Sequence, residues 1–410
     1  MTTYIIITFC VLILIAYIFD LTAARTKIPT VILLLLTGFI VQQITFHVGI
    51  YIPDMSELLS VLGTIGLILI VLEGSMELEL DRSKKQVVIK SFLMALLPMI
   101  VLGSILALII FMATGATFKE ALTNVLPLCV ISSAIAIPSA QALSKTNREF
   151  VTYETSLSDI VGVVLFNFIA LNEVFGWATF GFFFLYIFLT LLISFAGIIG
   201  LSVLLHKINH HVKFIPIIML VVLLYAITKE LHLPGLIFIM LFGIFLGNLD
   251  HLHKIRWVQV FHVESLKKEF VRFRELTIET AFLIRTLFFL LFGFMIQTEE
   301  LLNLNTLPWA IGITTGIYVV RYAFMQLFKV KENTILYIAP RGLITVLLFM
   351  SIAPTDAIPL INKSLIIQII ILTALVMMTG IMKAGKNKHA EAKPHEAETI
   401  LLASNNSSEQ

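Results

Sequence analysis

Charged residues and cysteines are scarce in this sequence. Only 13% of the 410 residues are Asp, Glu, Lys or Arg, whereas about a quarter of a soluble domain is charged. Hydrophobic residues make up 59% of the chain and the mean hydropathy is +0.99. So few charges cannot cover so much apolar surface in water, which excludes a water-soluble globule. The two cysteines, Cys10 and Cys129, lie in apolar stretches, which argues against a disulfide framework or a zinc site.

Enzyme signatures are also missing. The sequence has no His-Glu-x-x-His helix, and its histidines fall mainly in the polar loops rather than clustering in apolar segments. A membrane-embedded metalloprotease or acyltransferase would need such groups within the apolar region. We therefore expect a protein that is not an enzyme and carries no cofactor.

Long apolar segments recur along nearly the whole chain. Segments of roughly 17 to 25 apolar residues suffice to cross a bilayer as helices, whose backbone groups bond within the helix. We predict an all-α membrane protein with about thirteen transmembrane helices. The predicted segments are 4-22, 28-46, 57-77, 89-113, 121-143, 154-172, 178-205, 213-230, 233-248, 277-297, 306-327, 333-353 and 364-382.

The positive charges support one orientation. Of the 28 Lys and Arg, only Lys119, Lys229 and Lys363 fall in the loops predicted to face outward. Because Lys and Arg gather on the cytoplasmic side, we predict an outside N-terminus and a cytoplasmic C-terminus in the plasma or inner cell membrane. Membrane lipid is then the expected partner, and nucleic acid is not.

Two stretches fall outside the apolar segments. The polar tail 384-410 is predicted to be a disordered cytoplasmic segment that follows a transporter domain 1-383. In the cytoplasmic segment 250-276, aromatic residues alternate with basic ones at roughly helical spacing. This pattern fits an amphipathic helix on the membrane surface or an ordinary loop helix. The aromatic residues are Trp257, Phe261, Phe270 and Phe273.

The order of the segments predicts an internal repeat. Six segments precede the long seventh one and six follow it, starting from the opposite side, as in inverted-topology transporters. Such proteins break one helix in each repeat. Matching interruptions occur at Ser132, Ser133 and Pro138 in the fifth segment and at Pro340, Arg341 and Gly342 in the twelfth. Intact helices are the alternative, since Pro and Gly are common in membrane helices.

Asp159, inside the sixth segment, is the main candidate for chemistry. An ionisable side chain within a membrane is costly and usually functional. Thr155 precedes it by one helical turn, and the interrupted fifth helix offers the oxygens of Ser132 and Ser133. A carboxylate held away from water binds either a cation or a proton, so Asp159 is predicted to exchange them. The alternative is that Asp159 merely caps a helix or pairs with a neighbour.

Other ionisable residues also fall in apolar segments. A buried arginine needs a partner for its charge, so we predict a structural ion pair between Glu154 and Arg341. Glu73, Arg285 and Arg321 are accessory candidates. Alternatively, the two arginines extend toward a membrane interface and Glu73 lies at the inner end of its helix.

These residues resemble the monovalent cation/proton antiporter superfamily, in its sodium/proton exchanger branch. The resemblance rests on the following stretches. They are Glu154-Thr155-Ser156-Leu157-Ser158-Asp159, Pro340-Arg341-Gly342-Leu343, Leu72-Glu73-Gly74 and Ile284-Arg285-Thr286-Leu287-Phe288-Phe289. It implies that Asp159 is the ion-binding carboxylate, with Thr155 and Ser158 beside it, and that Arg341 pairs with Glu154.

The resemblance also implies an architecture. A core domain (about 89-172 and 306-383), in which two broken helices cross, moves against a dimerisation domain (about 1-77 and 178-297) of a homodimer. Na+ is the expected cation, with K+ and Li+ as alternatives, and the implied role is pH homeostasis. A sodium-coupled symporter of organic anions, with Arg321 at the substrate, is the rival interpretation.

Two departures from the family pattern affect the mechanism. Ser158 replaces the usual Asn, and Ser132-Ser133-Ala134 stands where many exchangers have Thr-Asp-Pro with a second acid. A single carboxylate predicts electroneutral exchange, and losing the second acid leaves the identity of the cation open.

Overall fold

The chain folds into helices along nearly its whole length. The computed structural model describes residues 2-383 apart from 27, 50-53, 79-83, 141-142, 173-175, 208-213, 232, 234, 250-262 and 331. The predicted tail 384-410 lies outside the described residues. The helices are α1 Thr2–Thr26, α2 Thr30–Val48, α3 Ser56–Met76, α4 Lys85–Thr114, α5 Phe118–Cys129, α6 Ser133–Ser139, α7 Lys145–Leu171, α8 Trp177–Lys207, α9 Phe214–Glu230, α10 Gly235–Gly247, α11 Val263–Phe294, α12 Thr298–Leu301, α13 Leu307–Leu327, α14 Asn333–Tyr337, α15 Leu343–Met350 and α16 Lys363–Lys383.

The predicted apolar segments coincide with these helices. Each of them overlaps one helix or, for 121-143 and 333-353, a pair of shorter helices. Within the described residues, 9 stretches are long and apolar enough to cross a membrane by length and composition. The prediction of about thirteen crossings stays a prediction, because several helices, including α10, are shorter than a full span.

Local signals set the turn between α4 and α5. Gly115 ends α4 with a φ of 71°, a left-handed conformation that favours glycine. Two residues later Thr117 caps α5, accepting a hydrogen bond from the Glu120 amide at 3.2 Å while the Glu120 carboxylate accepts one from the Thr117 amide at 2.9 Å. This capping box is a strong start signal for a helix.

Both predicted interruptions are confirmed, except that Ser133 and Pro138 lie within α6 rather than in the first break. The first break separates α5 from α6 at residues 130-132, and the second separates α14 from α15 at residues 338-342. The two extended linkers meet, because the Ser132 amide donates a hydrogen bond to the Pro340 carbonyl at 2.9 Å. The alternative of two intact helices is therefore wrong. The inverted relation of the two halves stays a prediction.

Close packing joins one group of helices around α3. The backbones of α2 and α11 approach at Gly38 and Gly293, and α10 approaches α3 at Gly243 and Gly247. A side chain at Gly38, Gly247 or Gly293 would run into backbone atoms of the neighbouring helix, and one at Gly243 would run into the side chain of Ser75. These helices therefore pack tightly, and α8 and α9 join them through α10.

A second group surrounds α7. Helices α4, α5 and α6 pack on α7, α13 packs on α4, and α15 packs on α5 and α7. Helix α16 joins this group through Thr373, whose carbonyl accepts a hydrogen bond from the Tyr318 hydroxyl of α13 at 3.1 Å. Helix α3 contacts both groups, touching α6, α7 and α15 as well as α10 and α11.

The predicted surface segment 250-276 needs a correction where it is described. Residues 250-262, with Trp257 and Phe261, lie outside the described residues, but 263-276 continue without a break into α11. Phe273 is fully buried, and its ring lies 6.3 Å from those of Phe214 and Phe242. Residues 263-276 are therefore the first part of α11 rather than a separate helix, and Phe273 packs against α9 and α10.

Candidate functional site

Asp159 lies in the interior of α7 and is almost completely buried, with 1% of its surface exposed. The hydroxyl of Ser133, the first residue of α6, donates a hydrogen bond to Asp159 Oδ2. The other carboxylate oxygen, Oδ1, has no hydrogen-bond donor among the described residues. A buried polar atom without a partner is uncommon and marks a place where a ligand can bind. One oxygen of the Asp159 carboxylate is thus held by Ser133, and the other is free to bind a ligand.

The first helix break is attached directly to α7. The backbone amide of Ile131, in the linker between α5 and α6, donates a hydrogen bond to the Ser158 hydroxyl at 3.0 Å. At Gly162, one turn further along α7, an added Cβ would lie 3.1 Å from a side-chain carbon of Val130. The small residues on either side of Asp159 therefore let the linker lie against α7, which brings Ser133 to the carboxylate.

The other predicted oxygen ligands are buried near the helix breaks. Thr155 is fully buried, but its hydroxyl donates to the Val151 carbonyl of its own helix at 2.9 Å rather than to Asp159. Ser132 Oγ has no hydrogen-bond partner within the described part of the chain. It faces Gly342, since an added Cβ there would lie 3.0 Å from this oxygen. Ser132 is therefore located where the two linkers meet.

Two further buried hydroxyls were not predicted. Ser156 Oγ on α7 and Thr345 Oγ1 on α15 lack a hydrogen-bond partner in the described ranges. Ser156 faces Gly74 of α3, where an added Cβ would lie 3.1 Å from Ser156 Oγ. A signal existed for Ser156, which lies within the matched stretch three residues before Asp159. For Thr345 the only sequence signal is its place one turn after the second break.

A cavity of about 650 Å³ reaches this region. Its lining extends from Ser133 and Pro138 to Lys145 and Arg148 at the start of α7. Asp159 does not line the cavity as far as the structure describes it. Both acidic and basic side chains line this cavity. The charged lining residues are Asp20, Glu73, Glu77, Lys145, Arg148, Glu149, Arg274, Glu279 and Arg285.

The two accessory candidates Glu73 and Arg285 both line this cavity and are half-buried. Glu73 is on α3 and Arg285 is on α11, whereas Asp159 is on α7. The structure therefore brings them to the same water-accessible space as Ser133, and does not join either of them to Asp159 by a hydrogen bond.

Glu154 pairs with Arg321, which corrects the predicted pair with Arg341. Arg321 Nη1 and Nη2 donate to the two carboxylate oxygens of Glu154 at 2.6 and 2.9 Å. Glu154 is fully buried and Arg321 is 3% exposed, so Arg321 does not extend to a membrane interface. Its guanidinium also donates to the Ile335 carbonyl from Nε at 3.2 Å and from Nη2 at 3.0 Å. This bidentate geometry between two charged groups is a strong one.

Arg341 instead binds the backbone at the helix breaks. Its Nε donates to the Leu128 carbonyl at 2.6 Å and its Nη1 to the Ala339 carbonyl at 2.8 Å. Its own amide donates to Thr373 Oγ1 at 3.1 Å. Breaking α5 and α14 leaves carbonyl groups without helical partners. Arg341 lies in the second linker, and its guanidinium binds one carbonyl from each broken helix region, whereas Glu154 is bound by Arg321.

The sequence matches the profile of one transporter family over residues 10–383. That family is described as "Sodium/hydrogen exchanger, transmembrane". The chain belongs to the sodium/hydrogen exchanger family. This exchanger is therefore a multi-pass membrane transporter and not an enzyme, and the predicted resemblance is confirmed.

Solved structures show the same fold for this exchanger. It is similar to the sodium proton antiporter MjNhaP1 from Methanocaldococcus jannaschii at pH 8, with a TM-score of 0.67 and 18% sequence identity over 92% of this chain and 100% of that one. A second structure, a 3D electron microscopy map of MjNhaP1, gives a TM-score of 0.67 and 18% identity over 94% of this chain and 97% of that one. A search of curated protein sequences finds no match. The all-α antiporter fold predicted from the sequence is thus confirmed.

Proposed function

We propose that this exchanger transports Na+ in exchange for H+ at Asp159, by presenting that carboxylate to the two sides of the membrane in turn. The observation that supports this site is the buried Asp159 carboxylate, with Oδ2 bound by Ser133 and Oδ1 without a protein donor. An ionised carboxylate without water is unstable unless a cation or a proton neutralises it. The same group therefore binds either substrate but not both.

The oxygens around Asp159 suit a monovalent cation. In this proposal Ser132 and Ser133 would supply hydroxyl oxygens from the first helix break, and Ser158 and Thr155 would supply hydroxyl oxygens from α7; all four are buried. Hydroxyl and carboxylate oxygens accept a cation without adding further charge beyond that of Asp159. K+ and Li+ would use the same oxygens, so they remain alternative substrates in this proposal.

One carboxylate with one charge favours electroneutral exchange. The neighbouring acid, Glu154, is already neutralised by Arg321, and Arg341 is bound to carbonyls. The site is then neutral whether it holds Na+ or H+. A net charge moved across the membrane would couple to the potential by about 2.3 kcal/mol per 100 mV, so electroneutral exchange should not respond to voltage.

The helix packing supports a core that moves against a scaffold. Within the proposed scaffold, residues 1-77 and 178-297, glycines bring helix backbones together, as at Gly38 and Gly247. Toward the proposed core, residues 89-172 and 306-383, helix α3 presents glycines to side chains instead. Gly63 faces Leu347 of α15 and Phe288 of α11, and Gly66 faces Ile284 of α11 and Leu343 of α15. Contacts between side chains are exchanged more easily than close contacts between helix backbones. Side-chain contacts therefore suit a boundary between two domains that move relative to each other.

The proposed exchanger is a homodimer in the cell membrane with a cytoplasmic C-terminus, and it serves pH homeostasis. Its cavity then opens to the cytoplasm, because Lys145, Arg148 and Arg274 line it and belong to loops predicted to face inward. The rival symporter of organic anions is not favoured. It would use Arg321 for its substrate, but Glu154 and the Ile335 carbonyl already bind that guanidinium.

Purified protein in liposomes tests the proposal. Internal pH is followed while Na+, K+ or Li+ is added outside, for the wild type, for Asp159→Asn and for the control Asp54→Asn. Asp54 is an exposed carboxylate near the start of α3, so its variant should exchange like the wild type. Asp159→Asn should abolish cation-driven proton movement, and an imposed membrane potential should leave the wild-type rate unchanged. Undiminished exchange by Asp159→Asn, or sodium-dependent uptake of a labelled organic acid without proton movement, would contradict the proposal.

A further inference from the structure

Ser133 belongs both to the cavity and to the carboxylate site. It lines the cavity of about 650 Å³, and its hydroxyl donates a hydrogen bond to Asp159 Oδ2. In the described part of the chain Asp159 itself does not line the cavity. Ser133 is also 2% exposed, so its hydroxyl is held away from bulk solvent. A cation or proton moving from this cavity to Asp159 Oδ2 therefore meets the Ser133 hydroxyl first.

The hydrogen bond from Ser133 has a different strength in the different states of Asp159. It donates to Asp159 while the carboxylate is ionised, and this bond stabilises the ionised form. Once a proton is bound, for example at the open Oδ1, Ser133 can still donate to Oδ2, but its bond to the neutral carboxyl group is weaker than its bond to the ionised one. A cation at Asp159 can be bound by the oxygen of Ser133 but not by its hydrogen. The Ser133 hydroxyl thus affects the binding of H+ and the binding of the cation at Asp159 differently.

We infer that Ser133 is a positioning residue that sets the competition between cation and proton at Asp159. By donating to the ionised carboxylate, it weakens proton binding relative to a site without a hydroxyl, and by turning its oxygen to the cation it strengthens cation binding. This inference rests on the proposed exchange at Asp159.

Among the described residues, no charged group of the helices packed against α7 forms a hydrogen bond or ion pair with Asp159. Glu154 on α7 is bound by Arg321, Arg341 at the second break is bound by carbonyls, and Glu73 on α3 lines the cavity. Helices α6 and α15 carry no charged side chain. The charges of α4 and α5 lie in the first two turns of those helices. They are Lys85, Lys90, Lys119 and Glu120.

The test compares Ser133→Ala, Ser133→Cys and Ser133→Thr in liposomes, with Na+-driven proton movement measured across a series of pH values. A hydrogen bond to a charged group contributes enough to shift the pH profile of exchange by about one to two pH units. Because Ser133→Ala removes the donor to the ionised carboxylate, its profile should move to higher pH by that amount. Its KM for Na+ at alkaline pH should rise several-fold.

The other variants distinguish the loss of the hydroxyl group from a failure of the protein to fold. Ser133→Thr keeps a hydroxyl and should restore both the pH profile and the KM, and Ser133→Cys, a weaker donor, should fall between wild type and alanine. Ser139→Ala is the matched control, because the Ser139 hydroxyl of the same short helix donates to the Ile135 carbonyl at 2.7 Å. It should behave like the wild type. If Ser133→Ala does not insert or fold, the shift of Ser133→Cys decides the question.

The inference and the proposed function fail in different ways. A wild type without cation-proton exchange, or an active Asp159→Asn, would overturn the proposed function. An active wild type and an inactive Asp159→Asn, together with Ser133→Ala or Ser133→Cys of unchanged pH profile and unchanged KM, would overturn only the role of Ser133. A lower maximal rate alone would also overturn it, since that indicates a purely structural residue.

Discussion

Replacing Glu154 by Gln is expected to lower the free energy of unfolding by about 3 to 5 kcal/mol, because it leaves a buried arginine without its anion. Both oxygens of Glu154 accept hydrogen bonds from Arg321, at 2.6 and 2.9 Å, and the side chain of Arg321 is 3% exposed. After the substitution the guanidinium would keep the Ile335 carbonyl as its acceptor. A loss of this size is a large fraction of the 5 to 15 kcal/mol typical of a folded protein.

A double-mutant cycle identifies the partner of Glu154. Arg321→Gln alone should also lower the free energy of unfolding. In the Glu154→Gln, Arg321→Gln double variant no charge is left unpaired. The double variant should therefore lose about 3 kcal/mol less stability than the sum of the two single losses. Arg341→Gln should by itself lower the free energy of unfolding, since it leaves the Leu128 and Ala339 carbonyls without their hydrogen-bond donor. Its loss should add to that of Glu154→Gln within about 0.5 kcal/mol.

Denaturant titration of the purified protein in detergent gives the free energies for this cycle. Ligand-free conditions at one pH and one salt concentration are needed throughout, because bound substrate stabilises the native state by mass action. The reasoning is refuted if Glu154 couples to Arg341 as strongly as to Arg321. It is also refuted if Glu154→Gln lowers the stability by less than about 1 kcal/mol, which is typical of an exposed ion pair.

Three further substitutions test the packing and the surface by the same titration. Gly342→Ala should destabilise the protein by about 1 to 3 kcal/mol, because its methyl group would lie 2.7 Å from a side-chain carbon of α6; an unchanged stability would contradict the close crossing of the two linkers. Thr117→Ala should lower it by about 1 kcal/mol through loss of the capping box with Glu120, and no loss would show that the cap is unimportant. Glu77→Gln should change it by less than about 1 kcal/mol, since its pair with Arg274 is 41% exposed on both sides; a larger loss would contradict that exposure.

Local patterns account for much of what could be predicted. Hydropathy located the apolar segments, because a helix in hydrocarbon must be continuous and apolar over its length. Pro340 and Gly342 located the second helix break, because proline lacks an amide donor and glycine tolerates unusual backbone geometry. The burial of Asp159 also followed from its position within an apolar segment. Its role in exchange stays a prediction.

The partners of the buried charges could not be predicted in this way. Arg321 and Arg341 both lie in apolar segments, and nothing in their local sequence shows which of them faces Glu154. The pair with Arg321 depends on where α13 lies relative to α7 and on the carbonyls that the broken helices offer to Arg341. Likewise, the spacing in 250-276 indicated an apolar face, but it could not show that residues 263-276 continue into α11 or that α9 and α10 cover Phe273.

The sequence by itself therefore determined where this exchanger crosses an apolar medium, where two of its helices break and which carboxylate is buried among hydroxyl-bearing residues. These are properties of consecutive residues. Only the tertiary structure decided that Arg321 neutralises Glu154, that Arg341 binds free carbonyls and that Ser133 joins the cavity to Asp159. Each of those contacts links residues far apart in the chain, and its geometry depends on how whole helices pack.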